Sequence, residues 1–273
     1  MATEIGWRRA PGFAKFAFMK STARKSTARN IAHPVPPSDI AGRIDAIDWT
    51  EASRDLDAHG CAVLKGLLST EQCRALAALY PDDNQFRSRI VMGRHGFGRG
   101  EYKYFSYPLP ELIAELRPVL YGRLRDTANR WNEAMAIDIR YPETHEAFLK
   151  RCHAAGQTRP TPLLLQYEAG DYNCLHQDLY GEHVFPLQVA ILLSEPGRDF
   201  TGGEFVLTEQ RPRMQSRPEV VPLGQGDAVA FAVHFRPGDA WNLSRQSSPR
   251  RKPGPLRPPS YPWRDFSRCE MNA

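Results

Sequence analysis

The spacing of apolar residues changes character near residue 160. Before it, apolar positions recur at helical intervals; after it, they come in short runs broken by Gly, Pro and Asp. Thr50, with Glu51 and Asp55 close behind, predicts a helix to about Ala58, stopped by Gly60. Cys61-Ala62-Val63-Leu64 follows as a short apolar strand. Ser69 or Thr70 caps a second helix through Leu79, with Cys73, Leu76 and Leu79 on one face. Pro110 opens a third helix, and 121–135 predicts a fourth in which Trp131 and Met135 are core. From Pro162 onward, 163–167, 187–193, 204–207 and 228–233 read as successive strands. Helices first and strands afterwards predict a mainly β core with flanking helices, an α+β sandwich or barrel.

The two ends differ from this middle. Residues 1–38 carry Arg8, Arg9, Lys15, Lys20, Arg24, Lys25 and Arg29 against Glu4, and repeat Lys-Ser-Thr-Ala-Arg in tandem from Lys20 to Arg29. They read as a basic, disordered extension, or as a basic arm for nucleic acid or an organellar presequence. Residues 238–273 are dominated by Arg, Pro and Ser, with prolines at 249, 253, 255, 258, 259 and 262, and are expected to be disordered. Between them lie a helical support region, 39–160, and a strand-rich core, 161–237.

Composition narrows the class. Hydrophobic residues make up 41% and charged residues 25%, as in a soluble globular chain. No apolar stretch approaches the roughly 20 residues of a membrane helix, so no membrane partner is expected. The five cysteines are scattered without a Cys-x-x-Cys pair, which argues against a disulfide scaffold or cysteine-ligated zinc and predicts a reducing cytoplasm. A net charge of +5 permits an anionic partner without requiring one.

The sharpest chemistry lies at His176-Gln177-Asp178. An imidazole and a carboxylate two residues apart can turn toward one cation, and with a second histidine they would form a 2-His-1-carboxylate facial triad. Around them stand Tyr167-Glu168-Ala169-Gly170, Gly202-Gly203-Glu204 and Gly226-Asp227. This spacing resembles the iron(II)/2-oxoglutarate-dependent dioxygenases. Tyr167-x-x-Gly170 followed by His176-x-Asp178 is similar to the AlkB-type nucleic-acid demethylases, and Gly-Gly-Glu resembles a turn of prolyl hydroxylases. From about Asp45 to Pro237 the chain most resembles a bacterial group of such oxygenases assigned to nucleic-acid oxidation. The resemblance implies a double-stranded β-helix (jelly-roll or cupin-like) with helices on its outer face. It implies His176 and Asp178 as ligands of Fe(II), Tyr167 as a contact to 2-oxoglutarate, dioxygen as oxidant, and an alkylated nucleic-acid base as substrate.

Two departures stand against it. Leu165 occupies the place where AlkB-type enzymes carry an asparagine. The family also takes a third ligand, a histidine, and an arginine for 2-oxoglutarate from two later strands, and no histidine follows Pro237. His234, the only histidine after His183, comes too early to be that ligand. A reading-frame shift accounts for the mismatch. Read one nucleotide later, Trp263-Arg264 forces a glycine and Met271-Asn272 forces a stop. Within codon degeneracy, 247–270 rereads with a His-x-Val motif and, ten residues beyond that histidine, an arginine ahead of an apolar strand. The chain as written is therefore expected to lack the last two strands, with activity impaired.

Substrate signals concentrate between Gln85 and Tyr107, where Arg87, Arg89, Arg94, Arg99 and Lys103 alternate with Phe97, Tyr102, Tyr104 and several glycines. Cations for phosphates and aromatic faces for bases suit a lid over a flipped nucleotide, with Arg94, Arg99, Tyr102 and Tyr104 as contacts. A plain hairpin packed on the β core is the other reading. His95, His145, His153 and His183 read as surface or hydrogen-bonded histidines, and Asp171 and Glu182 as groups that could orient a ligand. Two other functions compete with nucleic-acid oxidation: hydroxylation of a protein side chain such as proline by the same chemistry, and non-catalytic nucleic-acid binding by a β-sandwich. Resequencing the gene across the codons for Phe235 to Trp241 is expected to reveal the one-nucleotide difference; an unchanged reading would make the tail native.

Overall fold

Local signals set the helices. α1 (Ile40–Asp45) starts where the Asp39 carboxylate accepts the Gly42 N–H. α2 (Trp49–His59) is capped by Asp48, which accepts from Glu51 N at 2.9 Å, and it ends at Gly60 with φ of 76°. α3 (Thr70–Ala78) opens with a capping box: Ser69 Oγ accepts from Gln72 N, and the Gln72 side chain accepts from Ser69 N. α4 (Glu111–Ala134) is one helix of 24 residues where the sequence predicts two. Pro118 lies inside it, at a cost of about 3 kcal/mol. Leu112, Leu116, Leu120, Leu124, Ala128 and Trp131 form one buried stripe across that point. At about 1.5–3 kcal/mol per buried leucine, the stripe outweighs the proline. α5 (His145–Ala154) is capped by Thr144.

The computed structural model describes residues 16–21, 39–178, 181–209, 215–233, 235–237 and 266–270, the first and last of these spans as backbone. The strands are β1 (Phe16–Ser21), β2 (Cys61–Leu64), β3 (Phe86–Val91), β4 (Gly98–Arg99), β5 (Glu101–Phe105) and β6 (Leu163–Tyr167). They continue with β7 (Tyr172–Asn173), β8 (Leu187–Leu192), β9 (Phe205–Glu209), β10 (Arg217–Val221), β11 (Ala228–Ala232) and β12 (Phe266–Glu270). Seven form one sheet in the order β2-β11-β8-β1-β6-β5-β3; β10-β9-β12 form a second, and β4-β7 a short ribbon.

Strand alternation divides the core in two. On β8 every residue is buried: Leu187, Val189 and Ile191 face the helices, and Ala190 and Leu192 face the smaller sheet. The helical side adds Ile113, Leu116, Leu120 and Trp131, with a ring cluster of Tyr121, Tyr141, Phe148 and Phe185. Between the sheets, Leu163, Leu165, Tyr167, Val229 and Phe231 meet Phe205, Leu207 and Val221. Helices, large sheet and small sheet thus stack as three layers, a double-stranded β-helix with helical support. Among the described residues, no helix is long and apolar enough to cross a membrane.

Short segments of the two ends pair with the sheets. Phe16–Ser21 lies inside the large sheet, parallel to both β6 and β8, and Phe266–Glu270 pairs antiparallel with β9. The physical reason is that β6, β8 and β9 carry backbone donors and acceptors in covered sheets, and these must be paired. The rest of 1–38 and of 238–273, and His234, lie outside the described residues.

One ion pair fastens β2 to the turn before β11. Asp227 accepts from Lys65 Nζ at 2.7 Å, Gly66 N at 2.9 Å and Gly224 N at 2.9 Å. Burial alone would raise its carboxyl pKa, but Lys65 and the two backbone donors hold it below the ordinary carboxylate value. Asp227→Ala leaves those donors without their acceptor and should lower stability by about 1–3 kcal/mol in urea unfolding at neutral pH. Because the folded-state value is depressed, the contribution is complete above about pH 4 and is lost as pH falls through the folded value. The gap between the two proteins should therefore narrow at pH 3.

Candidate active site

His176 and Asp178 follow β7 in a segment that two backbone contacts hold in place. β4 pairs with β7, Gly98 opposite Asn173 and Arg99 opposite Tyr172. One residue on, Cys174 N donates to Phe97 O at 2.8 Å. The Cys174 carbonyl lies 2.8 Å from His176 Nδ1. A carbonyl can only accept, so Nδ1 carries the proton and Nε2 presents its lone pair, the tautomer a metal ligand needs. Nε2 stands 3.8 Å from Asp178 Oδ1. The other carboxylate oxygen accepts from Gln188 Nε2 on β8 at 3.0 Å. Two donors on one first-row cation, at bonds of about 2.1 Å, can stand no more than about 4.2 Å apart. The pair fits two positions of an iron ion. Gln177, between them, carries a buried Nε2 with no hydrogen-bond partner among the described residues. Among the described residues, no group of three His, Cys, Asp or Glu side chains completes a metal site.

Tyr167 ends β6 and is buried between the sheets. Its ring lies over Gly100, where a Cβ would come within 2.8 Å of Tyr167 Cδ1. A Cβ at Gly98 would meet Tyr172 O at 2.2 Å, so the β4–β7 approach also requires glycine.

The segment from Gln85 to Tyr107 is a sheet hairpin, β3 with β5, whose turn includes β4; it is not a separate lid. The structure sorts its cations. Lys103 is buried, donating to Tyr80 O at 2.8 Å and Asp83 Oδ1 at 2.6 Å. Arg89 is bonded to Glu101, and Arg87 lies over the Tyr104 ring with Nε on Pro160 O. Tyr102 and Tyr104 meet edge to face and are half buried against the inter-sheet core. Arg94 and Arg99 remain exposed in the turn. Asp171 accepts from Glu168 N and lies 3.7 Å from Arg99 Nε, so it shapes this turn; Glu182 is exposed. The backbone of His183 is clamped by the Gln157 amide, and burial followed by the nearby Arg117 charge lowers His145 to about 3. Sequence reasoning missed Gln188 and the Cys174 carbonyl. The first had a signal, a lone amide in an otherwise apolar strand; the second, being backbone, had none.

Comparison with known proteins follows this geometry. Residues 100–251 match the Oxygenase-NA family, described as an oxygenase catalysing oxidative methylation of damaged DNA. Proteins from two strains of Mycobacterium tuberculosis, both named as uncharacterized, are each 47% identical over 148 residues, covering 53% of this chain and 64% of theirs. The chain thus spans less than two thirds of the length of those relatives. A prolyl-4-hydroxylase crystal structure from Pseudomonas putida is 12% identical with a TM-score of 0.45, covering 82% of this chain and 91% of that one.

Gly100→Ala tests the packing of Tyr167. The φ of 111° is one that alanine rarely adopts, and the added methyl would strike the Tyr167 ring and Gln166 O. Thermal unfolding should shift down by several degrees, equivalent to about 1–3 kcal/mol. A variant as stable as the parent would show that the ring is not held by this contact.

Proposed function

Because the chain belongs to the Oxygenase-NA family, we propose that it is an iron(II)- and 2-oxoglutarate-dependent dioxygenase acting on alkylated bases of DNA or RNA in the cytoplasm. The observation that carries this reading is the His176–Asp178 pair, which lies within the matched segment with its ligating tautomer fixed. His176 Nε2 and Asp178 Oδ1 would hold the iron. Bound iron with 2-oxoglutarate and dioxygen would supply the oxidising power to break a C–H bond of the alkyl group.

The chain's own residues do the rest. The Cys174 carbonyl fixes the imidazole, and Gln188, from the buried middle of the large sheet, fixes the carboxylate. Tyr167 contributes a contact for 2-oxoglutarate at the end of β6. Arg94 and Arg99 contact phosphates, with Tyr102 and Tyr104 behind them as the aromatic wall. The third ligand and the cosubstrate arginine belong to the shifted reading frame, so the chain as written binds iron weakly and turns over little.

Three measurements test this reading. His176→Ala or Asp178→Ala in a frame-corrected protein should abolish succinate formation, and full turnover by either would remove the facial-triad argument. Gln188→Leu, which keeps both ligands, should weaken iron affinity by about 10- to 100-fold. Affinity for single-stranded DNA should fall with salt at a log–log slope of roughly −0.7 per phosphate contact, and Arg94→Gln with Arg99→Gln should flatten that slope. Turnover on peptide with salt-independent or absent DNA binding would favour a protein hydroxylase.

A further inference from the structure

Few large apolar side chains are exposed among the described residues, and three of them lie on the backbone segments that lead to or pair beside the candidate ligands: Phe97 at 41%, Tyr172 at 43% and Leu175 at 48%. Their grouping follows from the backbone. The β4–β7 ribbon sets Tyr172 opposite Arg99, and the Cys174-to-Phe97 hydrogen bond brings the Phe97 turn alongside Leu175, the residue next to His176. His95 stacks on Phe97 at 5.3 Å with an interplanar angle of 24°. Among the described residues, exposed Arg94 makes no ion pair, and Arg99 makes only the long contact to Asp171 at 3.7 Å, its own side chain 64% exposed. An exposed pair of that kind is worth about 0–1 kcal/mol, so Arg99 can leave Asp171 for a phosphate.

Aromatic faces left in water beside such cations match one ligand better than others. A nucleic-acid duplex presents phosphates but hides its base faces in the stack, whereas an unpaired strand presents both. A proline-rich peptide could use the rings but has no anion for the arginines. We propose that Phe97 and Tyr172 form a stacking ledge for the bases flanking the target nucleotide in an unpaired strand, with Arg94 and Arg99 on its phosphates. The ledge rests on the nucleic-acid reading above and adds to it the strand state and the residues that select it. Because the ledge and the imidazole are both tied to the Cys174 backbone, a strand lying on it is aligned with the candidate ligands.

The test is equilibrium binding of the full chain to a short single-stranded oligonucleotide carrying one 2-aminopurine, whose fluorescence reports stacking. Phe97→Ala and Tyr172→Ala should each weaken binding by roughly 5- to 150-fold and abolish the fluorescence change. Phe97→Trp should retain both, and the matching duplex should bind more weakly than the single strand. Both side chains are exposed, so circular dichroism should show these variants folded like the parent. If the alanine variants bind like the parent while Arg94→Gln and Arg99→Gln lose affinity, the ledge is overturned and the nucleic-acid reading survives. Equal affinity for duplex and single strand also overturns it. If no oligonucleotide binds while a proline-rich peptide does, ledge and nucleic-acid reading fall together.

Discussion

The backbone of one residue, Cys174, ties the candidate ligands to the sheet hairpin. Its N–H is spent on the Phe97 carbonyl and its C=O on the His176 imidazole. The first bond fixes where the chain lies, against the turn of the sheet hairpin; the second fixes which ring nitrogen faces outward. Neither depends on a side chain at position 174, so the arrangement is a property of backbone geometry. It requires the close approach that Gly98 allows, since a side chain there would push Tyr172 away and break the register that delivers Cys174. The candidate ligands are placed by glycine and by main-chain hydrogen bonds, while the buried amide of Gln188 holds the carboxylate from the middle of the large sheet.

The sheets impose a second constraint. β8 is buried on both faces, and so its two backbone edges must find strands. β11 takes one edge and β1 the other, and β1 also serves β6. In the smaller sheet β9 is flanked by β10 and β12 in the same way. Segments from both ends of the chain thus complete the sheets that flank the site. The fold and the candidate ligand pair are therefore separable: the two sheets are closed by the strands on hand, while the third ligand is not assembled among the described residues.

Much of this was legible in the sequence, and the misses have physical causes. Caps and runs gave α2, α3, β2, β6, β8, β9 and β11 to within one or two residues, because Ser69 and Gly60 act locally, although the cap of α2 is Asp48 and its start was read at Thr50. α4 was read as two helices, one opened by Pro110 and one over 121–135, because the sequence does not show that tertiary burial carries a single helix past Pro118. β10 was missed because its exposed Arg217, Pro218 and Val220 break apolar alternation. β1 was hidden within basic residues, although Phe16-Ala17-Phe18-Met19 is an apolar tetrapeptide there. In the substrate segment, residue types were read correctly but not their facing. Lys103 points to Tyr80 and Asp83 since strand alternation turns it away from Tyr102 and Tyr104. The His176–Asp178 pair was legible through its spacing; its anchoring was not, because a carbonyl leaves no mark in a sequence.

The parallel setting of β1 also has a consequence in time. Ala17 pairs with Leu163 and Phe16 with Val189, so β1 meets its first neighbour only after 146 further residues have been made and its second only after 173. During synthesis at about 5–20 residues per second, that is a wait of roughly ten seconds or more. Its entry between β6 and β8, both far from it in sequence, is a high-contact-order event, expected among the last to occur. Until then an apolar tetrapeptide must stay out of other sheets, and the lysines and arginines on either side of it supply the repulsion that discourages wrong pairing. The basic character of the N-terminal stretch is thus of use to the chain before it has folded at all.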